Sequence, residues 1–395
     1  MDPVRNPFAP GAGTPPPELA GRKVILDRCE TTLQRISQGR PAKSFLLIGL
    51  RGAGKTVLLV RILQLAETAG YKALMVEAHE DKSLPELLLP PLRQVLLALD
   101  QLGSLNAKVK RGLRVLRSFA SAIKVKYGEV EIGLDIDPER GVGDSGDIES
   151  DLPDLLIAVA EAAAARGTAV ALLIDELQYI GETELSALIM GVHKIAQRQL
   201  PLVMIGAGLP QLVGNMGRSK SYAERLFDFP EVGPLNARDA HVALVEPIAR
   251  EGERIAEGAV DLIVTATRGY PYFVQEWGYQ CWNTAGKSPI STKDVDRATP
   301  IILANLDASF FRVRFDRLTP AEKRYLRAMA ELGPGPHRSG DIAEQLGAQV
   351  RSVAPLRSGL IRKGMIYSPA HGDTAFTVPL FDQFLKRQMS KLDSR

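Results

Sequence analysis

Apolar residues fall along this chain in two rhythms. Short unbroken runs occur at Phe45-Leu46-Leu47-Ile48, Ala73-Leu74-Met75-Val76, Ala169 to Ile174 and Leu200 to Ile205. Runs of that length suit strands buried on both faces of a parallel sheet. Between them apolar residues recur three and four apart, the helical spacing. Val24, Ile25, Cys29, Leu33 and Ile36 form one such face, and Val57 to Leu63, a Leu-rich segment over 84–102 and the Ala-rich Asp154 to Arg166 form others. The alternation predicts an α/β fold with a parallel-sheet core.

After Ala237 the strand-like runs stop. Leu244 and Ile248, then Val260 to Val264, then Phe273 to Trp282 mark helices, and Ser291 or Thr292 caps a fourth running towards Phe310. These predict a small helical lid. Thr319-Pro320-Ala321-Glu322 then carries a Thr cap, Pro at the first helical position and Glu at the third. A short helix closed by Gly347 and a helix from Val350 to Lys363 follow. Gly364 to Tyr367 and Ala375 to Val378 form a hairpin around His371-Gly372-Asp373. That order predicts a winged helix-turn-helix.

A chain of 395 residues exceeds the ~250–300 that one core sustains. The expected division is an extended arm over 1–20, the sheet-bearing core over 21–235, the lid over 236–312 and the winged helix-turn-helix over 313–395. Within the core, 103–152 reads as a charged insertion. Lys108, Lys110, Arg111, Arg114, Arg117, Lys124 and Lys126 precede a stretch dominated by Asp and Glu from Glu129 to Asp151. Val109, Leu113, Leu116, Ala120 and Ile123 give the basic part a helical apolar stripe, and Val130, Ile132, Leu134 and Ile136 alternate as a strand does. Charges balanced by neighbouring acids explain that helix more economically than a polyanion contact.

The first apolar run ends in Gly49-Leu50-Arg51-Gly52-Ala53-Gly54-Lys55-Thr56, which has the full G-x-x-x-x-G-K-[ST] spacing between strand and helix. Phosphate oxygens can lie on backbone N–H groups only where no Cβ intrudes, hence Gly49, Gly52 and Gly54. Ala53 and Val57 complete the cradle, and the helix start adds unpaired N–H groups. Lys55 reaches the outer phosphates and the Thr56 hydroxyl enters a Mg²⁺ shell. The third long run ends in Asp175-Glu176, at the strand end where open α/β sheets bind ligands. Asp175 is placed to hold Mg²⁺ and Glu176 to activate water. The expected cofactors are ATP and Mg²⁺, in a P-loop NTPase core. Arg22 and Pro271 are candidate nucleotide contacts, and Arg225 and Arg218 are candidate γ-phosphate sensors, in their own chain or across an oligomer, with Arg225 the better placed.

A net charge of +3 announces no polyanion partner by itself. Lys and Arg outnumber Asp and Glu 13 to 8 over 316–395, so a DNA contact would be local to that unit. Arg351, Ser352 and Arg357 would meet the groove from the second helix, with Arg362 and Lys363 towards the wing. Only Cys29 and Cys281 occur, too far apart for metal-ligand spacing, which suits a reducing compartment. The Pro- and Gly-rich start lacks a signal-peptide core, and no run approaches the ~20 apolar residues of a membrane span. A cytoplasmic location without membrane contact is expected.

Taken together, Gly49–Thr56, Leu172–Glu176, the Gly206-Ala207-Gly208-Leu209-Pro210 turn, Gly269-Tyr270-Pro271 and the terminal unit resemble AAA+/STAND-type P-loop ATPases, near the archaeal-ATPase and origin-recognition-initiator groups. The resemblance implies a five-stranded parallel core, a lid, and switching between ATP- and ADP-bound states. It departs at two places. Ile205-Gly206-Ala207 stands where those ATPases end a strand in a polar residue, and Tyr272 stands where initiators carry an arginine. The pattern therefore implies slow turnover. Three functions remain open at this level: a switch ATPase controlling a winged helix on double-stranded DNA, a STAND-like signalling or scaffold switch with a protein partner, and a DNA-stimulated loader or motor.

Overall fold

The computed structural model describes residues 1–11, 13–100, 106–127, 137–370 and 372–389. By its internal contacts the chain forms two compact units. One comprises Lys23–Ile48 and Lys55–Glu231; the other comprises Met1–Arg22, Gly49–Gly54 and Val232–Arg395.

The first unit runs α1 (Lys23–Ser37), β1 (Ser44–Ile48), α2 (Lys55–Thr68), β2 (Lys72–Glu77), α3 (Leu84–Asp100), α4 (Ala107–Tyr127), α5 (Ile148–Ala164) and β3 (Val170–Asp175). It continues with α6 (Glu182–Gln197), β4 (Leu202–Gly208), α7 (Gln211–Ser219), α8 (Ala223–Leu226) and β5 (Phe227–Asp228). Its five-stranded sheet has the order β2-β3-β4-β1-β5 with all pairs parallel. The unbroken apolar runs are explained by that topology, because β1, β3 and β4 are buried at every position. Leu46, Leu74, Leu172, Ile174 and Met204 join one core with α3 to α6, while the alternate positions Phe45, Leu47, Leu173, Val203 and Ile205 are buried too. β4 lies between β1 and β3, so the strand feeding the glycine loop and the strand ending in Asp175 are separated by one strand.

The 103–152 region is woven into this core. α4 packs between α3 and α5 and buries Val109, Leu113, Val115, Leu116, Phe119, Ala120 and Ile123. Its basic residues pair with acids: Lys108 and Arg111 with Glu161 (2.9 and 3.1 Å), and Arg114 with Glu139 (2.9 Å). Each buried apolar side chain is worth ~1.5–3 kcal/mol, whereas such half-exposed ion pairs are worth ~0–1 kcal/mol. The helix is therefore held by its apolar stripe, and three of its charges are paired in place. The strand expected over Val130–Ile136 lies outside the described residues.

The second unit contains α9 (Ala237–Arg250), α10 (Glu257–Thr267), α11 (Pro271–Thr284), α12 (Thr292–Leu306), a π-helical turn over Asp307–Phe311 and α13 (Arg312–Phe315). After these come α14 (Pro320–Glu331), β6 (His337–Arg338), α15 (Ser339–Gln345), α16 (Val350–Arg362), β7 (Ile366–Tyr367), β8 (Asp373–Phe376) and α17 (Phe381–Gln388). β6, β8 and β7 form a three-stranded antiparallel sheet in that order. The lid and the terminal elements share one core, because Phe273, Trp277, Phe311, Phe376, Phe381 and Phe384 belong to a single cluster. The N-terminal arm is sewn to the lid. Phe8 is buried against Gly278, where a Cβ would stand 2.7 Å from its ring. Asn6 donates to the Tyr279 carbonyl at 3.0 Å and Trp282 Nε1 to the Asp2 carbonyl at 2.8 Å.

Candidate functional site

Each unit carries its own cluster of candidate residues. In the first, β3 delivers Asp175 at the edge of the buried sheet, and its side chain is 2 % exposed. The Thr56 hydroxyl, on the first turn of α2, donates to Asp175 Oδ2 at 2.6 Å. Burial pushes the Asp175 carboxyl above its ordinary range, while the Thr56 hydroxyl and the Lys55 charge oppose that shift. A hydroxyl and a buried carboxylate in contact, with a buried lysine next in sequence, are hard oxygen donors suited to a Mg²⁺ ion. Thr56 and Asp175 would hold that ion, which would neutralise phosphate charge.

Glu176 follows the strand in the left-handed region, φ 53°, where a non-glycine residue is held only by its surroundings. Its N–H donates to Asp175 Oδ1 at 2.8 Å, and Gln178 donates to its carboxylate. Arg225 sits exposed on the short α8, and Arg218, also exposed, donates to Asn215.

In the second unit the glycine loop is fastened on several sides. Gly52 and Gly54 have φ of 78° and 91°, which side chains other than glycine rarely adopt. A Cβ on Gly49 would stand 2.2 Å from the Val232 carbonyl oxygen. Arg22, only 7 % exposed, donates to the carbonyls of Ala53 at 3.2 Å and Gly233 at 2.5 Å. Burial lowers its proton affinity and the Asp239 carboxylate opposes that. Arg22, expected to contact nucleotide, thus holds carbonyls of the loop and of Gly233. Pro271 opens α11, and the next residue, Tyr272, donates its N–H to the Gly52 carbonyl at 3.2 Å. The Arg51 N–H donates to the Thr377 carbonyl at 3.1 Å. Arg268 pairs with Asp382 of α17 at 3.7 Å.

The candidate DNA residues divide. Arg351 and Ser352 are exposed at the start of α16, and Arg362 is exposed at its end. Arg357 faces inward, with bonds to Thr374 Oγ1, Ser368 Oγ and the Asp373 carbonyl, each 2.9 Å. Lys363 reaches Glu322 at 2.7 Å and the Arg317 carbonyl at 3.2 Å. Arg357 thus braces the hairpin, and Lys363, still exposed, reaches the cap of α14. Linear spacing placed both on the right helix, but only the folded hairpin shows which way they turn. Sequence reasoning also passed over Gln178, Thr377 and Asp382; the one legible signal was the amide two residues beyond Asp175-Glu176.

Residues 18–205 match the AAA ATPase domain family, and residues 308–385 match a domain of unknown function, DUF8462. No curated protein matches the chain. Among solved structures, the Walker-type ATPase PABY2304 of Pyrococcus abyssi is similar at 16 % identity and TM-score 0.55, covering 93 % of this chain and 96 % of that one. ORC1 of Aeropyrum pernix in complex with DNA aligns at 15 % identity and TM-score 0.47, over 97 % and 96 % of the two chains. The Holliday junction branch migration motor RuvB of Thermotoga maritima aligns at 13 % and 0.44, over 93 % and 95 %. With the parallel five-stranded sheet, the glycine loop and the Thr56–Asp175 pair, residues 18–205 have the P-loop NTPase fold and match the AAA ATPase domain family.

Proposed function

We propose that the chain is a cytoplasmic switch ATPase that binds ATP with Mg²⁺, hydrolyses it slowly, and uses its nucleotide state to control a C-terminal winged helix on double-stranded DNA. The observation that carries this reading is the hydrogen bond from the Arg51 N–H to the Thr377 carbonyl. It joins the phosphate loop to the residue directly after β8. An aromatic chain supports it. Tyr272, whose N–H meets Gly52, stacks on Phe310 at 4.9 Å, and Phe310, Phe311 and Phe384 continue into α17. A ligand on the loop that prefers one arrangement of these contacts shifts the terminal unit by that preference.

In this reading Lys55 and the loop N–H groups bind phosphates, and Glu176 orients the attacking water and takes its proton. The apolar end of β4 at Ile205-Gly206-Ala207 supports slow turnover. Arg351, Ser352 and Arg362 supply the exposed DNA contacts. The engagement of Arg357 within the hairpin favours a second reading, a switch whose terminal unit meets a protein.

The test is binding of a labelled random duplex with ATP, ADP or no nucleotide across a salt series, with Lys55→Ala alongside. Nucleotide-dependent binding that weakens steeply with salt and vanishes in its nucleotide response in Lys55→Ala is expected. Binding in no state would transfer the proposal to the protein partner.

A further inference from the structure

The tip of β4 is built to admit the turn that follows Glu176. A Cβ on Gly206 would stand 2.1 Å from Leu177 Cδ1, and one on Gly208 would stand 3.0 Å from Gln178 Oε1 and 2.8 Å from Leu212 Cδ2. Those absent side chains let Gln178 lie across the end of the strand. Its Oε1 accepts the Leu209 N–H at 3.1 Å, and its Nε2 donates to Glu176 Oε2. The amide orientation is set by its partners, because a backbone N–H requires an acceptor and a carboxylate a donor. One side chain therefore ties the end of β4 to the carboxylate.

We propose that Gln178 is a positioning residue for ATP hydrolysis. The inference rests on the proposed ATPase reading and deepens it. The Gln178 amide holds one oxygen of Glu176 while the left-handed backbone at Glu176 turns that carboxylate off the strand axis. A shift of β4 at Leu209 then moves Glu176 directly.

The discriminating variant is Gln178→Glu in the full chain. It keeps the length and the acceptor for the Leu209 N–H, yet it cannot donate to Glu176 when ionised. Parent, Lys55→Ala, Gln178→Glu and Gly208→Ala are compared by single-turnover hydrolysis and by affinity for a fluorescent ATP analogue. Expected for Gln178→Glu is a kcat about 10- to 100-fold lower, the scale of a mispositioned group, with nucleotide affinity within about twofold. Gly208→Ala, which presses on Gln178 from the strand side, lowers kcat in the same direction and keeps the inference testable if Gln178→Glu does not fold. Parental kcat in both variants overturns the positioning role while leaving the ATPase reading standing. A loss that appears in affinity and not in kcat overturns it equally. Hydrolysis absent from the parent, or undiminished in Lys55→Ala, removes the ATPase reading and this inference with it.

Discussion

Replacing Thr377 with Val tests whether the terminal unit and the phosphate loop are coupled. Thr377 is fully buried. Its hydroxyl donates to the Gly364 carbonyl at 2.5 Å and lies 3.0 Å from the Met365 carbonyl, and its N–H donates to Met365 at 3.1 Å. These bonds fix the carbonyl that receives the Arg51 N–H. Val keeps the shape but removes the hydroxyl, and the Gly364 carbonyl loses a donor. A buried hydrogen bond contributes ~0.5–1.5 kcal/mol, and a polar group left unsatisfied costs ~1–3 kcal/mol. The arrangement that holds Thr377 against the loop should therefore weaken by ~1–3 kcal/mol, or up to ~5–150-fold in its equilibrium. The assay is release of fluorescent ADP after a chase with unlabelled nucleotide, with thermal melting measured in parallel. We expect faster ADP release and a lower melting temperature in Thr377→Val, with parental behaviour in Thr377→Ser, which retains the hydroxyl. A lowered melting temperature with unchanged ADP release would refute the coupling, because the packing defect would then stop short of the loop.

The other predictions concern single residues. Glu176→Gln should bind ATP within about twofold of the parent and lose ~10²–10⁴-fold in turnover, the range for a positioned general base; equal turnover would remove Glu176 from the chemistry. Arg357→Ala should lower the melting temperature of the terminal unit by losing charge-assisted bonds worth ~1.5–3 kcal/mol each, whereas Arg351→Ala should leave melting unchanged and weaken duplex binding. The opposite pattern would return Arg357 to the DNA surface. Acid should loosen the cap of α14. Burial pushes Glu322 upward, but the Lys363 ammonium and the Thr319 N–H and hydroxyl outweigh it, and the carboxyl lies below its ordinary 4.5. A depressed value means the contribution is complete above about pH 4.5 and is lost as pH falls through the folded value. Lys363→Met should flatten this acid loss, read by melting between neutral pH and pH 3.

Much of the fold was legible because it depends on local pattern. Unbroken apolar runs suit strands covered on both faces, and β1, β3 and β4 are buried throughout, whereas β2 at the sheet edge buries only Leu74. Caps were readable as well: Thr319 with Glu322 and Ser291 with Asp294 form the capping boxes that open α14 and α12. The pairing of the glycine-loop helix with the end of the third apolar run was readable from spacing, and the structure brings Thr56 to Asp175. The helix expected within 103–152, with an apolar stripe and charges balanced by neighbouring acids, is present as α4. Its charges stand out along the sequence, yet the apolar stripe of α4 carries the larger energy and draws it into the core.

Sequence alone thus determined which residues form strands and helices and which can cradle a phosphate, since those follow from periodicity, caps and steric room at glycine. Only the tertiary structure decided how the polar side chains are used. Arg357 braces the hairpin, Lys363 reaches Glu322, Arg22 holds carbonyls of the loop, Gln178 spans from Leu209 to Glu176, and Thr377 meets Arg51. Each of those contacts joins residues that are distant in sequence or set by a turn, and a hydrogen bond is satisfied by whichever donor and acceptor the packed backbone brings within ~3 Å. Nothing in a linear pattern encodes that choice.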